Sequence, residues 1–240
     1  MYSLVFYSHS DYSDAWAPMF GQTDKYYGSE YKKYLFTNEG SYEVPDGWEC
    51  VYYNDSLPYN ERVASCLRQL PPEEVVIFHH EDMFLFGAPM HEIMAPFHEK
   101  ISNEKVDFIK LCKASYDPNY NFFKHSENLY YTPADLLFAI QPTMCKVKNL
   151  RTVYEQTPAQ TGWQLEKDAP LTCMRNSFIC CSSNIAPERK IGLYHWESLV
   201  YPYFITAIVK GKWNFLEYPN KLGQVLEEHK VDYGTRGNNL

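Results

Sequence analysis

The sequence has no cysteine spacing suited to a zinc site or a disulfide framework. Its 7 Cys in 240 residues include no Cys-x-x-Cys pair, and Cys180 and Cys181 are adjacent, too close to bridge one another easily. Reduced, mostly buried thiols and a cytosolic compartment are expected. No apolar run approaches the roughly 18–20 residues of a membrane span, so no transmembrane segment is expected. The opening MYSLVFYSHSDYSD has no basic region and only a short apolar stretch, so it does not read as a secretory leader. Positive charge is also scarce. A formal net charge of −8 argues against a nucleic-acid polymer as partner, yet leaves room for a single nucleotide whose charge a cation neutralises. There is no internal repeat and no low-complexity linker.

Hydrophobic residues make up 45% of the chain and charged residues 22%, enough apolar material for one sizeable core. Aromatics reach 17%, led by 21 Tyr. Tyrosine supplies flat surfaces with a polar tip, as sugar and base sites need; a compositional habit of the source organism accounts for the surplus equally well.

The pattern alternates strands and helices over the first 112 residues. Ser3-Leu4-Val5-Phe6-Tyr7, Lys33-Tyr34-Leu35-Phe36-Thr37, residues 49–53, residues 74–78 and residues 106–112 read as strands. Residues 14–27, 59–70 and 91–104 read as helices, the second ended by Pro71-Pro72. This predicts an α/β domain with a mostly parallel sheet flanked by helices. The second half is less regular. A loop or β-ribbon is expected over 116–131, a strand over 136–141 and a helix over 145–155. A loop over 157–168 should lead into a further helix, 198–210 is an apolar segment, and 232–240 reads as a frayed polar tail. The expected division is one domain over 1–231, with a nucleotide-binding half over 1–112 and an acceptor half over 113–231.

Four clusters carry candidate chemistry. The apolar run Val75-Val76-Ile77-Phe78 leads into His79-His80-Glu81-Asp82, which places two carboxylates at the end of a buried strand, where open α/β sheets bind ligands. Hard oxygen donors there suit Mg²⁺ or Mn²⁺ bridging a diphosphate; a solvated turn is the alternative. In Trp163-Gln164-Leu165-Glu166, Glu166 is a candidate general base and Trp163 a sugar-stacking surface, against the plainer reading of a helix N-terminus. The opening loop Ser8-His9-Ser10-Asp11 offers short polar groups to a base or ribose, or is a simple capping turn. Finally, His195 is a candidate metal or phosphate ligand, and Lys210 and Lys212 are candidates for neutralising a diphosphate.

Taken in order, these segments resemble a family of GT-A-type glycosyltransferases of bacterial polysaccharide loci and viruses. Asp11-Tyr12-Ser13-Asp14-Ala15-Trp16 is similar to its Asp-Tyr-x-Asp-x-Trp, and Lys33-Tyr34-Leu35-Phe36-Thr37-Asn38 to its second strand. Glu81-Asp82-Met83-Phe84 is similar to its acidic motif, and Gln141-Pro142 falls in its sugar-site region. Gly162-Trp163-Gln164-Leu165-Glu166 is similar to its Trp-x-x-Glu, and Lys210-Gly211-Lys212-Trp213 to its closing Gly-Lys-Trp. The resemblance implies a GT-A-like fold, a nucleotide-sugar donor and a glycan or glycolipid acceptor. It implies Asp82 as metal ligand with Glu81 beside it, Gln141 and Trp163 at the sugar, and Glu166 as base of an inverting displacement. It implies a cytoplasmic protein, at most peripheral to a membrane or acting in an infected cell. His79-His80 before the acidic pair departs from a plain Asp-x-Asp.

Rival classes remain on the residues alone. They are a retaining glycosyltransferase, a nucleotidyltransferase and a non-catalytic carbohydrate-binding protein. The second would usually carry a glycine-rich basic loop after strand one, and residues 8–14 contain no Gly, Lys or Arg.

Overall fold

The structure, a computed structural model, describes residues 1–38, 43–117, 119–187 and 198–237. Nine strands form the central sheet: β1 (Ser3–Tyr7), β2 (Lys33–Thr37), β3 (Trp48–Tyr52), β4 (Val75–His80), β5 (Phe108–Lys110), β6 (Lys124–Ser126), β7 (Leu129–Tyr131), β8 (Thr143–Lys146) and β9 (Cys180–Ser183). Their order is β3-β2-β1-β4-β8-β5-β9-β7-β6. Strands β1 to β6 and β9 run one way, and only β7 and β8 are reversed, so the sheet is mostly parallel. Helices α1 (Trp16–Tyr26), α2 (Tyr59–Leu67), α3 (His91–Ser102), α4 (Val147–Gln156), α5 (Gly162–Arg175) and α6 (Lys221–Glu228) flank it. A central parallel strand is covered on both faces and therefore reads as a continuous apolar run. Strand β4 follows that rule, with Val75 to Phe78 all buried.

Three expectations for the second half are corrected. Residues 136–141 do not form a strand. A short 3₁₀ turn, Ala134–Leu136, opens an irregular loop, and the strand begins only after Pro142. Proline lacks the N–H a ladder needs, and the loop's polar backbone is taken by side chains instead. The Ile140 N–H donates to Glu166 Oε1 and Lys110 Nζ donates to the Leu136 carbonyl. Second, the helix expected over 145–155 starts at Val147, because Thr143–Lys146 is β8, wedged antiparallel between β4 and β5. Third, the loop expected over 157–168 ends early, because Thr161 accepts from the Gln164 N–H and caps a helix that begins at Gly162.

The expected frayed tail is also tied down as far as residue 237. The Trp213 N–H donates to the Gly237 carbonyl at 3.2 Å, and Arg236 pairs with Asp14. A hairpin of β10 (Ile208–Val209) and β11 (Lys212–Trp213) turns through Lys210 at φ 50° and Gly211 at φ 77°. Two consecutive positive φ values favour glycine at the second position. The chain before this hairpin runs along the segment that follows β4. The Ala207 N–H donates to the Asp82 carbonyl at 2.9 Å and the Phe204 N–H to the Phe84 carbonyl at 3.0 Å.

Candidate functional site

Because β1, β4 and β5 are co-directional, their carboxyl ends share one edge of the sheet, and the loop entering the reversed β8 arrives there too. A cavity of about 840 Å³ opens at that edge. It is lined by residues from six separate stretches: Tyr12; His80 to Met83; Lys110 and Cys112 to Ala114; Asp135 to Gln141 without Leu137; Gly162, Trp163 and Glu166; and the 205–211 hairpin region. Ligand clefts at such strand ends are the rule in open α/β sheets.

Glu81 and Asp82 form one wall. Glu81 is only 8% exposed. Burial, reinforced by the adjacent Asp82 charge, pushes its carboxyl well above the usual range. Burial raises Asp82 as well, opposed by the Thr206 hydroxyl and the Ile208 N–H. The Thr206 hydroxyl lies 2.6 Å from Asp82 Oδ2 and 2.7 Å from the Ile208 carbonyl, so its single proton serves two acceptors. Two carboxylates side by side, Glu81 buried and Asp82 half-buried, are costly unless a cation joins them. Among the described residues no group of three or more His, Cys, Asp or Glu side chains is arranged as a metal cage. The donor set nevertheless fits Mg²⁺ or Mn²⁺. Such ions commonly take one or two carboxylates and complete their shell with water and substrate phosphates.

The two histidines before the pair are scaffold. His79 is fully buried, stacked 4.4 Å from the Phe6 ring, with its ring nitrogens 3.3 Å from the Val5 carbonyl and 2.6 Å from the Tyr201 hydroxyl. Burial pushes its pKa down to about 3. His80 Nε2 sits 2.8 Å from the Tyr59 hydroxyl and is likewise held neutral by burial, its pKa lowered to about 4.

Glu166 lines the same cavity. It lies in the second turn of α5, whose N-cap is Thr161, accepting from the Gln164 N–H at 3.3 Å. Glu166 therefore does not cap its own helix. Its Oε1 accepts from the Ile140 N–H at 2.6 Å, which fixes the carboxylate and locks the 136–141 loop. Burial raises its pKa, while that N–H and the Lys110 charge hold it back. Lys110, 4% exposed, grips the same loop from β5, and burial lowers its pKa. Gln141 lines the cavity and accepts from the Tyr203 hydroxyl. Trp163 stands at the mouth, 76% exposed.

The cavity thus gathers Glu81, Asp82, Gln141, Trp163, Glu166 and Lys210, read from motifs up to 129 positions apart (81 to 210). It does not gather the rest. Ser8 is buried, its Oγ accepting from the Trp16 indole N–H at 2.7 Å. His9 caps the following 3₁₀ turn, accepting from the Asp11 N–H, and its Nε2 sits 3.0 Å from Asp55. The Ser10 N–H donates to Asn38, and Asp11 points to solvent. Only Tyr12 of that loop lines the cavity. Lys212 is exposed and outside the lining. His195 lies outside the described residues. Reading the sequence missed Tyr12, Lys110, Lys113 and Thr206. A lysine inside the apolar run Val106-Asp107-Phe108-Ile109-Lys110-Leu111 was the one available signal.

Fold and site thus define an α/β protein with a strand-end cleft bearing paired carboxylates and a pinned glutamate. No family model matches the chain, and no curated protein matches it in sequence. Among solved structures, it is similar to TarS 1–349 of S. aureus, with TM-score 0.47 and 7% identity over 76% of this chain and 60% of that one. It is similar to WbbM, a bifunctional glycosyltransferase, with TM-score 0.45 and 11% identity over 71% and 37%. It is also similar to the galactosyltransferase LgtC, solved with donor and acceptor sugar analogues, with TM-score 0.43 and 10% identity over 77% and 87%. The chain thus spans about 60% of the length of TarS and 37% of WbbM. At these scores and identities no residue role passes from those proteins to this chain. No helix among the described residues is long and apolar enough to cross a membrane.

Proposed function

We propose that this chain is a glycosyltransferase with a GT-A-like fold, moving a sugar from a nucleotide-sugar donor to a hydroxyl of a glycan or glycolipid with inversion. The observation that carries this reading is that the acidic pair and Glu166 line one cavity at the strand ends. Asp82 and Glu81 would hold Mn²⁺ or Mg²⁺, which supplies charge neutralisation for a leaving nucleoside diphosphate. Lys210, on the hairpin turn above the pair, adds a cationic contact for the same group. Tyr12, the residue of the opening loop that lines the cavity, is assigned to base or ribose. Gln141 and Trp163 are assigned to the sugar, Gln141 as a polar contact and Trp163 as an apolar face.

Glu166 takes the acceptor proton as the hydroxyl attacks the anomeric carbon. One of its oxygens is anchored on the Ile140 N–H, so the carboxylate holds a fixed direction with its second oxygen available to a substrate. Donor and acceptor held in one cleft turn a bimolecular encounter into a near-unimolecular step.

A thermal-shift screen of UDP-, GDP-, CDP- and dTDP-sugars with and without Mn²⁺ tests the reading. One donor class should raise the melting temperature, and only with the cation present. No stabilisation by any donor would favour a non-catalytic carbohydrate-binding protein. NMR of the anomeric configuration of the product separates inversion from retention.

A further inference from the structure

The C-terminal segment does more than follow the last helix. Helix α6 is docked on α1, where Lys25 pairs with Glu228 at 2.8 Å and the Gln22 amide reaches Glu228 at 3.1 Å and His229 at 2.9 Å. The chain then crosses back to the mouth of the cleft, where the Trp213 N–H holds the Gly237 carbonyl. Between these anchors, Arg236 leaves only 13% of its side-chain surface exposed.

Its guanidinium meets both oxygens of Asp14 through Nε and Nη2. Nη2 also donates to the Asp11 carbonyl at 3.2 Å and Nη1 to the Gly211 carbonyl at 3.5 Å. Its flat face lies 4.7 Å from the Tyr12 ring centroid and 6.0 Å from that of Trp213. One side chain therefore clasps two segments that are about 200 positions apart in sequence, the opening turn (11–14) and the Lys210-Gly211 turn (12 to 211 is 199 positions). Both contribute to the cavity wall around Glu81 and Asp82, through Tyr12 and through Lys210 and Gly211. Neither has regular backbone geometry at these positions. Tyr12 breaks the 3₁₀ turn, at φ −105° and ψ 16°, and Lys210 sits at a positive φ on a two-residue turn. A bidentate guanidinium–carboxylate pair is the contact best suited to fix such a geometry, and a lysine does not reproduce it.

We infer that Arg236 is a positioning residue for the nucleotide end of the cleft, holding Tyr12 and the Lys210-Gly211 turn together beside Glu81 and Asp82. The inference rests on the nucleotide reading above and adds a residue far from every motif that supports that reading.

The test is calorimetric titration of the full chain with UDP, GDP, CDP and dTDP in Mn²⁺, with a melting curve for each variant. Arg236→Gln should weaken the nucleotide that the wild type binds by roughly tenfold or more. Arg236→Lys should stay weaker than wild type although it keeps the charge, and carries the test if the Gln variant fails to fold. The exchange of Asp14→Arg with Arg236→Asp should recover most of the lost affinity, since it rebuilds the pair in reverse. A lowered melting temperature with unchanged nucleotide affinity in both single variants would reduce Arg236 to a structural tie and overturn the inference. A wild-type chain that binds none of the four nucleotides would overturn the nucleotide reading itself, and the inference with it.

Discussion

Glu166 shows how one side chain carries two jobs that mutation can separate. Its carboxylate anchors the 136–141 loop through the Ile140 N–H, and in the proposed reaction it also accepts a proton. A glutamine retains a carbonyl oxygen for that N–H but cannot act as a base. Glu166→Gln should therefore melt close to wild type while kcat falls by about 10²–10⁴-fold, with donor affinity little changed. Glu166→Ala removes both functions and leaves the Ile140 N–H without its acceptor, a further loss of about 1–3 kcal/mol in stability. Near-normal turnover in the Gln variant would eliminate Glu166 as base and bring the retaining reading forward. The same residue sets a pH dependence. Its folded pKa is raised by burial, so the base is lost to protonation as pH falls through that raised value. The acid limb of the kcat profile should lie above the ordinary glutamate range. Lys110→Met removes a charge that favours the ionised form and should move that limb higher still.

Helix α5 holds the Glu166 side of the cavity, and its geometry depends on its N-terminal end. Helix α5 begins at Gly162, with Thr161 accepting from the Gln164 N–H. That cap fixes the turn from which Trp163 and Glu166 project. Thr161→Ala should cost about 1 kcal/mol, read as a melting temperature lower by roughly 2–4 °C. It should reduce turnover more than it reduces nucleotide affinity, because the nucleotide end is built on other elements. Equal losses in both would show that α5 supports the whole cleft. Gly162 is itself constrained, since a Cβ there would approach Ile140 Cδ1 to 2.9 Å. The absence of a side chain lets α5 lie close against the loop it locks.

For the molecule as a whole, the acidic pair is a cost accepted by the fold. Glu81 and Asp82 sit in a buried edge with raised pKa values. Without a cation they oppose folding as a pair of like charges does. Asp82→Asn keeps an oxygen for the Thr206 hydroxyl and removes one charge. Metal-free Asp82→Asn protein should melt no lower than metal-free wild type, and should lose the Mn²⁺-dependent rise that wild type shows with nucleotide. Melting curves in EDTA and in Mn²⁺ plus nucleotide test both halves. An intact Mn²⁺ response in the variant would remove Asp82 from the metal site.

Much of the fold was legible because it depends on local composition. The apolar runs of β1, β2 and β4 are buried on both faces, and their sequence announces it without reference to anything distant. The acidic end of β4 was legible for the same reason, as polarity appearing abruptly where a buried strand stops. Glu166 and Trp163 were legible as candidate site residues, but they were expected in a loop over 157–168, and the structure puts them in α5, which begins at Gly162. The loop over 136–141 was not, since its apolar residues fit a strand and only Lys110 and Glu166, brought from β5 and α5, satisfy its backbone differently. Reversal of β8 could not be read either, because strand direction is set by neighbours rather than by the strand. Arg236 lay in a segment whose polarity resembles a frayed end, and its partner Asp14 stands 222 positions earlier. The sequence by itself determined which segments are buried and where charge meets the sheet edge, since hydrophobic burial is a property of each stretch. Which charges face one another across the cleft was decided only by the tertiary structure, because pairing depends on distances that chain separation does not encode.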